Sequence, residues 1–146
     1  MYSINKQALE LVRDELQTEM ESLVATLDQS SPVGDMEPLI QSLTHINGVF
    51  SLLQIVGGSV LVTETIALLK TPVEVDGLPE KHWDTASNAI KLLPSYFQLV
   101  QSLEYDNPLI LLTEINELRQ CLGEPLRDEH FFLSELINNK PVISLI

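Results

Sequence analysis

Between Leu39 and Leu53 an apolar residue returns every three or four positions: Leu39, Leu43, Ile46, Phe50 and Leu53. That spacing follows one face of a helix and cannot serve a strand, whose faces alternate at every second residue. Gln41, Thr44, Asn47, Gly48 and Ser51 fall on the other side, which is small and polar. The segment therefore predicts an amphipathic helix with a greasy stripe and an open face. A glycine inside such a helix costs about 1 kcal/mol relative to alanine, so Gly48 on the polar side needs a reason. Close approach by a partner surface supplies one, which makes this face the candidate functional surface.

The same period recurs along the chain. Ala8, Leu9, Val12, Leu16, Met20, Leu23 and Leu27 predict a first helix that starts after Asn5 and ends in the turn-forming run 28–34. Asp35, with Glu37 and Pro38 behind it, reads as the cap of the second helix, which carries Gly48. Gly57 and Gly58 read as a break, after which Ser59 caps a third helix reaching Lys70. Its β-branched residues would suit a strand, but the apolar spacing is helical and no partner strand is visible. Residues 71–81 hold Pro72, Gly77 and Pro79 and form the segment expected to be most mobile. Trp83, Ala86, Ile90, Leu93, Phe97 and Val100 mark a fourth helix; Pro94 would bend it or break it at about Leu93, and a kinked helix is expected. Asp106, Asn107 and Pro108 read as cap and first turn of a fifth helix whose stripe, Leu111, Ile115, Leu118 and Leu122, stops at Gly123. The tail from Glu124 offers one short helical candidate at 134–138, and Phe131, Phe132 and the apolar end 142–146 are expected to pack back on the bundle or to meet another molecule. With no credible strand, five helices predict an all-α antiparallel bundle.

A bundle of that size needs a core, and 45% hydrophobic content over 146 residues is enough for one domain spanning 1–146. Eight Lys and Arg against 21 Asp and Glu leave a formal charge of −13, which repels nucleic acid and anionic membrane surfaces. A protein surface that is basic or partly apolar is the better partner. Cys121 is the single cysteine, so no disulfide can form within the chain, and it reads as a small hydrophobe beside Leu118 and Leu122. A reducing cytoplasm fits. Glu10, Asp14 and Glu15 within an amphipathic pattern are unlike a signal peptide, and no apolar run has the length of a bilayer span.

Few residues invite catalysis. His45, His82 and His130 are far apart and none has a second His or Cys at ligand spacing, so no metal is expected. Residues 56–59 lack the Lys and Thr of a phosphate loop, so no nucleotide cofactor is expected either. No base accompanies Cys121 or any Ser or Thr as a nucleophile. Asp14 with Glu15, and Asp128 with Glu129, are sequence neighbours that point different ways and read as solvated surface. The bland reading of Thr44 is a surface threonine bonded to a carbonyl one turn back.

The stretch around Gly48 resembles the histidine phosphotransfer motif, in which an exposed helical histidine is followed three residues later by a basic residue and four residues later by a glycine. Counting back from Gly48, Asn47 takes the basic position and Thr44 that of the histidine. His45 stands one residue on, turned by about 100° away from the face that Gly48 opens. The likeness extends over residues 8–132. Gly57, then Thr63-Glu64, then Leu93-Pro94-Ser95-Tyr96, then the block from Asp106 through Asn116, Leu118 and Arg119 to Gly123-Glu124-Pro125-Leu126 resemble the amino-terminal phosphotransfer-like domain of the chemotaxis-type hybrid histidine kinases that govern type IV pili and twitching motility, and the related motility scaffold proteins that lack a kinase core.

That resemblance implies a four-helix phosphotransfer-like core, with residues 124–146 as a tail packed on it, in the N-terminal piece of a longer chain. It implies a bacterial two-component setting in which a parent chain is a histidine kinase or a scaffold. Working phosphotransfer domains use an imidazole nitrogen against an aspartyl phosphate, with a positive charge nearby to hold the phosphoryl oxygens. Thr44 would form a stable ester and Asn47 carries no charge. The expected function is thus a degenerate, non-enzymatic phosphotransfer domain that binds a receiver domain or another pilus-motility component through Gln41, Thr44, His45, Asn47, Gly48 and Ser51. Two alternatives stand beside it: an active phosphotransferase using His45, and a structural homodimer held by the tail 142–146.

Overall fold

Five α-helices account for most of a computed structural model that describes residues 2–71 and 77–132. Helix α1, Lys6–Asp28, starts at Asn5, whose side-chain oxygen accepts the Ala8 N–H at 3.1 Å and so satisfies one of the four donors a helix start leaves free. Helix α2, Glu37–Leu53, starts one residue later than Asp35 as a cap would have it. Met36 holds the cap position, while Asp35 Oδ1 accepts the Glu37 N–H at 3.0 Å. Gln54 ends α2 in the left-handed region at φ 63°, and α3, Val56–Leu69, follows after Ile55. Helix α4, Glu80–Leu103, stays helical through Pro94, so the proline does not break it. A 3₁₀ turn, Pro108–Leu111, leads into α5, Leu112–Leu122, which Gly123 closes at φ 71°.

Consecutive helices are neighbours in space. Helix α1 packs on α2 and α4, α3 packs on α2 and α4, and α5 lies against α3 and α4. The Asn5 N–H donates to the Leu53 carbonyl, which brings the start of α1 to the end of α2. Ion pairs join Lys6 at the start of α1 to Glu104 at the end of α4, and Asp28 at the end of α1 to Lys91 at the middle of α4, so the two helices run antiparallel. The core forms where the stripes meet: Met20, Leu43, Phe50, Leu61, Phe97 and Ile115 are fully buried. The rings of Phe50 and Phe97 sit 6.3 Å apart at 45°, a tilted arrangement that suits aromatic quadrupoles. The fold is an all-α helical bundle.

Four expectations need correction. Gly57 and Gly58 lie within the first turn of α3, and the break falls before them at Gln54 and Ile55. A Cβ on Gly57 would come within 2.8 Å of Pro108 Cα, and one on Gly58 within 2.7 Å of the Phe50 ring, so both glycines admit close packing. Ser59 is therefore inside the helix, and its hydroxyl donates to Asn47 Oδ1 at 2.6 Å. Asp106 does not cap the helix that follows it; Asn107 does, accepting the Leu109 N–H. Finally, a short strand pair does exist: β1, Tyr2–Ser3, is antiparallel to β2, Tyr105–Asp106. Among the described residues no helix is long and apolar enough to cross a membrane. Residues 72–76 of the proline-rich link, the helical candidate at 134–138 and the apolar end 142–146 lie outside the described residues; Phe132, just before the last stretch, is buried in the core.

Candidate functional site

The outward surface of α2 follows from its inward one. Because Leu39, Leu43, Ile46 and Phe50 are buried at 1% exposure or less, residues half a turn away must face water. Gln41, Thr44, His45, Gly48 and Ser51 are all exposed. Gly48 stands at the crest with nothing among the described residues within 4 Å of where a Cβ would be, so their packing does not require a glycine there. The Thr44 hydroxyl donates to the Ile40 carbonyl at 2.7 Å, one turn back. Leu52 joins the same surface at 57% exposure, a residue that the apolar stripe gave no reason to single out.

The two flanks of this crest differ. Toward α3, Asn47 is half-buried and braced: its Oδ1 accepts the Ser59 hydroxyl and its Nδ2 donates to Thr63 Oγ1 at 3.3 Å. An amide so engaged holds two helices together at the position where the resemblance asks for a free cation. Toward α1, His45 Nδ1 lies 2.6 Å from Glu19 Oε2. Residues three apart on a helix are surface neighbours, so His45 stays beside Gly48, on the opposite side from Asn47. The one-residue step from Thr44 swings the imidazole toward α1 but not off the exposed surface. Beyond it, a shallow groove between α1 and α2 is lined by Asp14, Glu15, Glu19, Thr18, Ser22 and Ser42.

Several other landmarks of the resemblance, Gly57, Glu64, Tyr96, Asp106, Asn116 and Arg119, gather elsewhere, at two knots of hydrogen bonds. At the first, Asp106 Oδ2 accepts the Gly57 N–H at 2.7 Å and Oδ1 accepts the Tyr96 hydroxyl, while Pro108 lies against Gly57. Burial pushes the Asp106 carboxyl up from 3.8 to about 6, against the lowering effect of the Gly57 N–H. At the second, Arg119 donates from Nη1 to Glu64 Oε1 at 2.7 Å and from Nε to the Pro125 carbonyl at 2.5 Å. Asn116 accepts the Arg127 N–H and donates to the Arg127 carbonyl, pinning the chain beyond α5. These landmarks hold the fold and leave the outward face of α2 alone. Sequence reasoning missed the ties from Gly57 to Asp106 and from Glu64 to Arg119 because their partners stand 49 and 55 positions apart in the chain.

Among the described residues no group of three or more His, Cys, Asp and Glu could hold a metal ion. His82 and His130 lie away from α2 in the chain, on α4 and in the helical residues 129–132 beyond α5, and Cys121 is half-buried with its Sγ 3.6 Å from the Thr85 hydroxyl.

With this geometry in place, the chain proves 31% identical over 132 residues to Scaffold protein FimL of Pseudomonas aeruginosa. The match takes in 87% of this chain and 24% of that protein, so the chain spans about a quarter of the length of the curated relative. No family model matches the sequence, and no solved structure matches it. The likeness runs across the bundle and is not confined to one motif.

Proposed function

We propose that the chain is a degenerate phosphotransfer-like domain of a signalling scaffold, which docks a receiver domain or another motility component on the outward face of α2 and passes no phosphate. The observation that carries this reading is Gly48, a helix-weakening residue at an exposed crest where none of the described residues touches it. The nature of the neighbouring side chains removes the chemistry. Thr44 offers an alcohol already bonded to a carbonyl, and Asn47 offers an uncharged amide committed to α3. The groove on the other side presents carboxylates, which repel a phosphoryl group. Similarity to a protein described as a scaffold supports a binding role and the second of the two parent types that the landmarks resemble.

The test is to mix the chain with receiver domains labelled on their aspartyl phosphate. Complex formation with no acid-labile label on the chain is expected, because the phosphoramidate of a relay is lost in acid while a receiver bound without transfer leaves no mark. Stoichiometric phosphohistidine at His45 would overturn the reading and establish the transferase.

A further inference from the structure

Residues 38–63 contain no Asp, Glu, Lys or Arg, although 20% of the chain is charged. The gap takes in almost all of α2 and the first half of α3, and burial does not explain it. Gln41, Thr44, Gly48, Ser51 and Thr63 are exposed helix positions, which is where an acidic protein ordinarily places its charges. Loss of charge, with solvent-facing side chains kept small, is the compositional mark of the centre of a protein interface. Leu52 adds apolar area to the same face. Charge returns at the α1 edge, where Asp14, Glu15 and Glu19 line the groove without a Lys or Arg in the lining. Arg13 divides itself between Glu10, at 3.6 Å, and Asp14, at 3.9 Å, and has no ion pair with Glu15 or Glu19 among the described residues. On the α3 side the first charge, Glu64, is half-buried against Arg119.

We infer that this face takes a different protein whose contact surface has an uncharged centre and a rim of Lys or Arg lying along the α1 edge. The inference rests on the reading of α2 as a docking face and deepens it by fixing the partner's charge. A second copy is the weaker occupant, since each chain carries −13 and the face holds no Lys or Arg to answer the acidic edge of its twin. Opposite charges at a rim act mainly on encounter, so salt should weaken docking chiefly by slowing association.

The test uses two synthetic helical peptides that share one Ala/Leu/Met stripe and differ only in Lys or Glu along one edge, titrated into the whole chain while amide NMR signals are followed. The Lys-edged peptide should shift Thr44, Gly48 and Thr63, with affinity falling about tenfold from low salt to roughly 0.3 M. The Glu-edged peptide should leave those signals in place, and Glu15→Lys with Glu19→Lys should reverse the preference. Equal response to both peptides, no response, or a doubled mass that Gly48→Arg abolishes would overturn the inference. A receiver domain that binds at Gly48 without salt dependence would sink the charge assignment and leave the docking reading standing. A clean Lys preference with every receiver domain failing to bind would do the reverse.

Discussion

Gly48 and Gly57 are both helical glycines, and they are kept for opposite reasons. Among the described residues nothing lies within 4 Å of a Cβ on Gly48, whereas one on Gly57 would press to 2.8 Å from the backbone of Pro108. Gly48→Ala should therefore raise stability by about 0.5–1 kcal/mol in urea unfolding, the helix propensity gain with no clash against it. Gly57→Ala should lower it by about 1–3 kcal/mol, since backbone must move to admit the methyl group. The sequence singled out Gly48 because the apolar period continues on both sides of it. It misread Gly57 and Gly58 because paired glycines look the same whether they end a helix or let two segments touch. What distinguishes the cases is Pro108, which is distant in sequence. The same limit hid Glu19, whose partner His45 stands 26 residues away on another helix.

At the scale of an element, α3 shows how one helix depends on another segment for its start. Its cap residue, Ile55, has no polar side chain, and the Gly57 N–H in its first turn is satisfied by Asp106 from beyond α4. A carboxylate suits the positive end of a helix, but this one is buried and its pKa stands at about 6 in place of 3.8. The folded chain thus holds a proton there that the unfolded chain has already released. Stability is greatest below about pH 4 as far as this group is concerned and declines as pH rises through 6, by up to something on the order of 3 kcal/mol. Asp106→Asn should flatten that part of the pH profile in chemical denaturation while keeping an acceptor for Gly57. Asp106→Ala should cost about 1–3 kcal/mol at about pH 4 by leaving two buried donors unpaired, and that cost should shrink as pH rises through 6. A profile for Asp106→Asn that matches the parent would show that the proton is taken up elsewhere. Arg119 and Glu64, at 8% and 14% side-chain exposure, tie α5 to α3. Arg119→Ala should destabilise by about 3 kcal/mol, because it strands a shielded carboxylate.

Across the whole molecule, the helix stripes were legible in the sequence because burial on one side imposes a period that composition alone does not. Leu9, Leu16, Leu43, Phe50, Ile90 and Ile115 are core residues where the spacing put them. Phe50→Ala should accordingly cost about 3–5 kcal/mol in thermal or chemical unfolding. The β1–β2 bridge was not legible, since two residues on each strand are too few to show an alternating pattern. The exposed face of α2 was legible in outline, and its flanks were not, because Asn47 and His45 differ only in which neighbouring helix they reach. The account centres on that face as a docking surface. It is tested most directly by measuring the affinity of the wild-type chain and of Gly48→Arg for the same panel of purified receiver domains, with the melting temperature of each chain recorded alongside. The account predicts that one receiver binds the wild type and is lost on Gly48→Arg, while melting is little changed because the arginine enters open space. Equal affinity of both chains for a receiver that binds would contradict it.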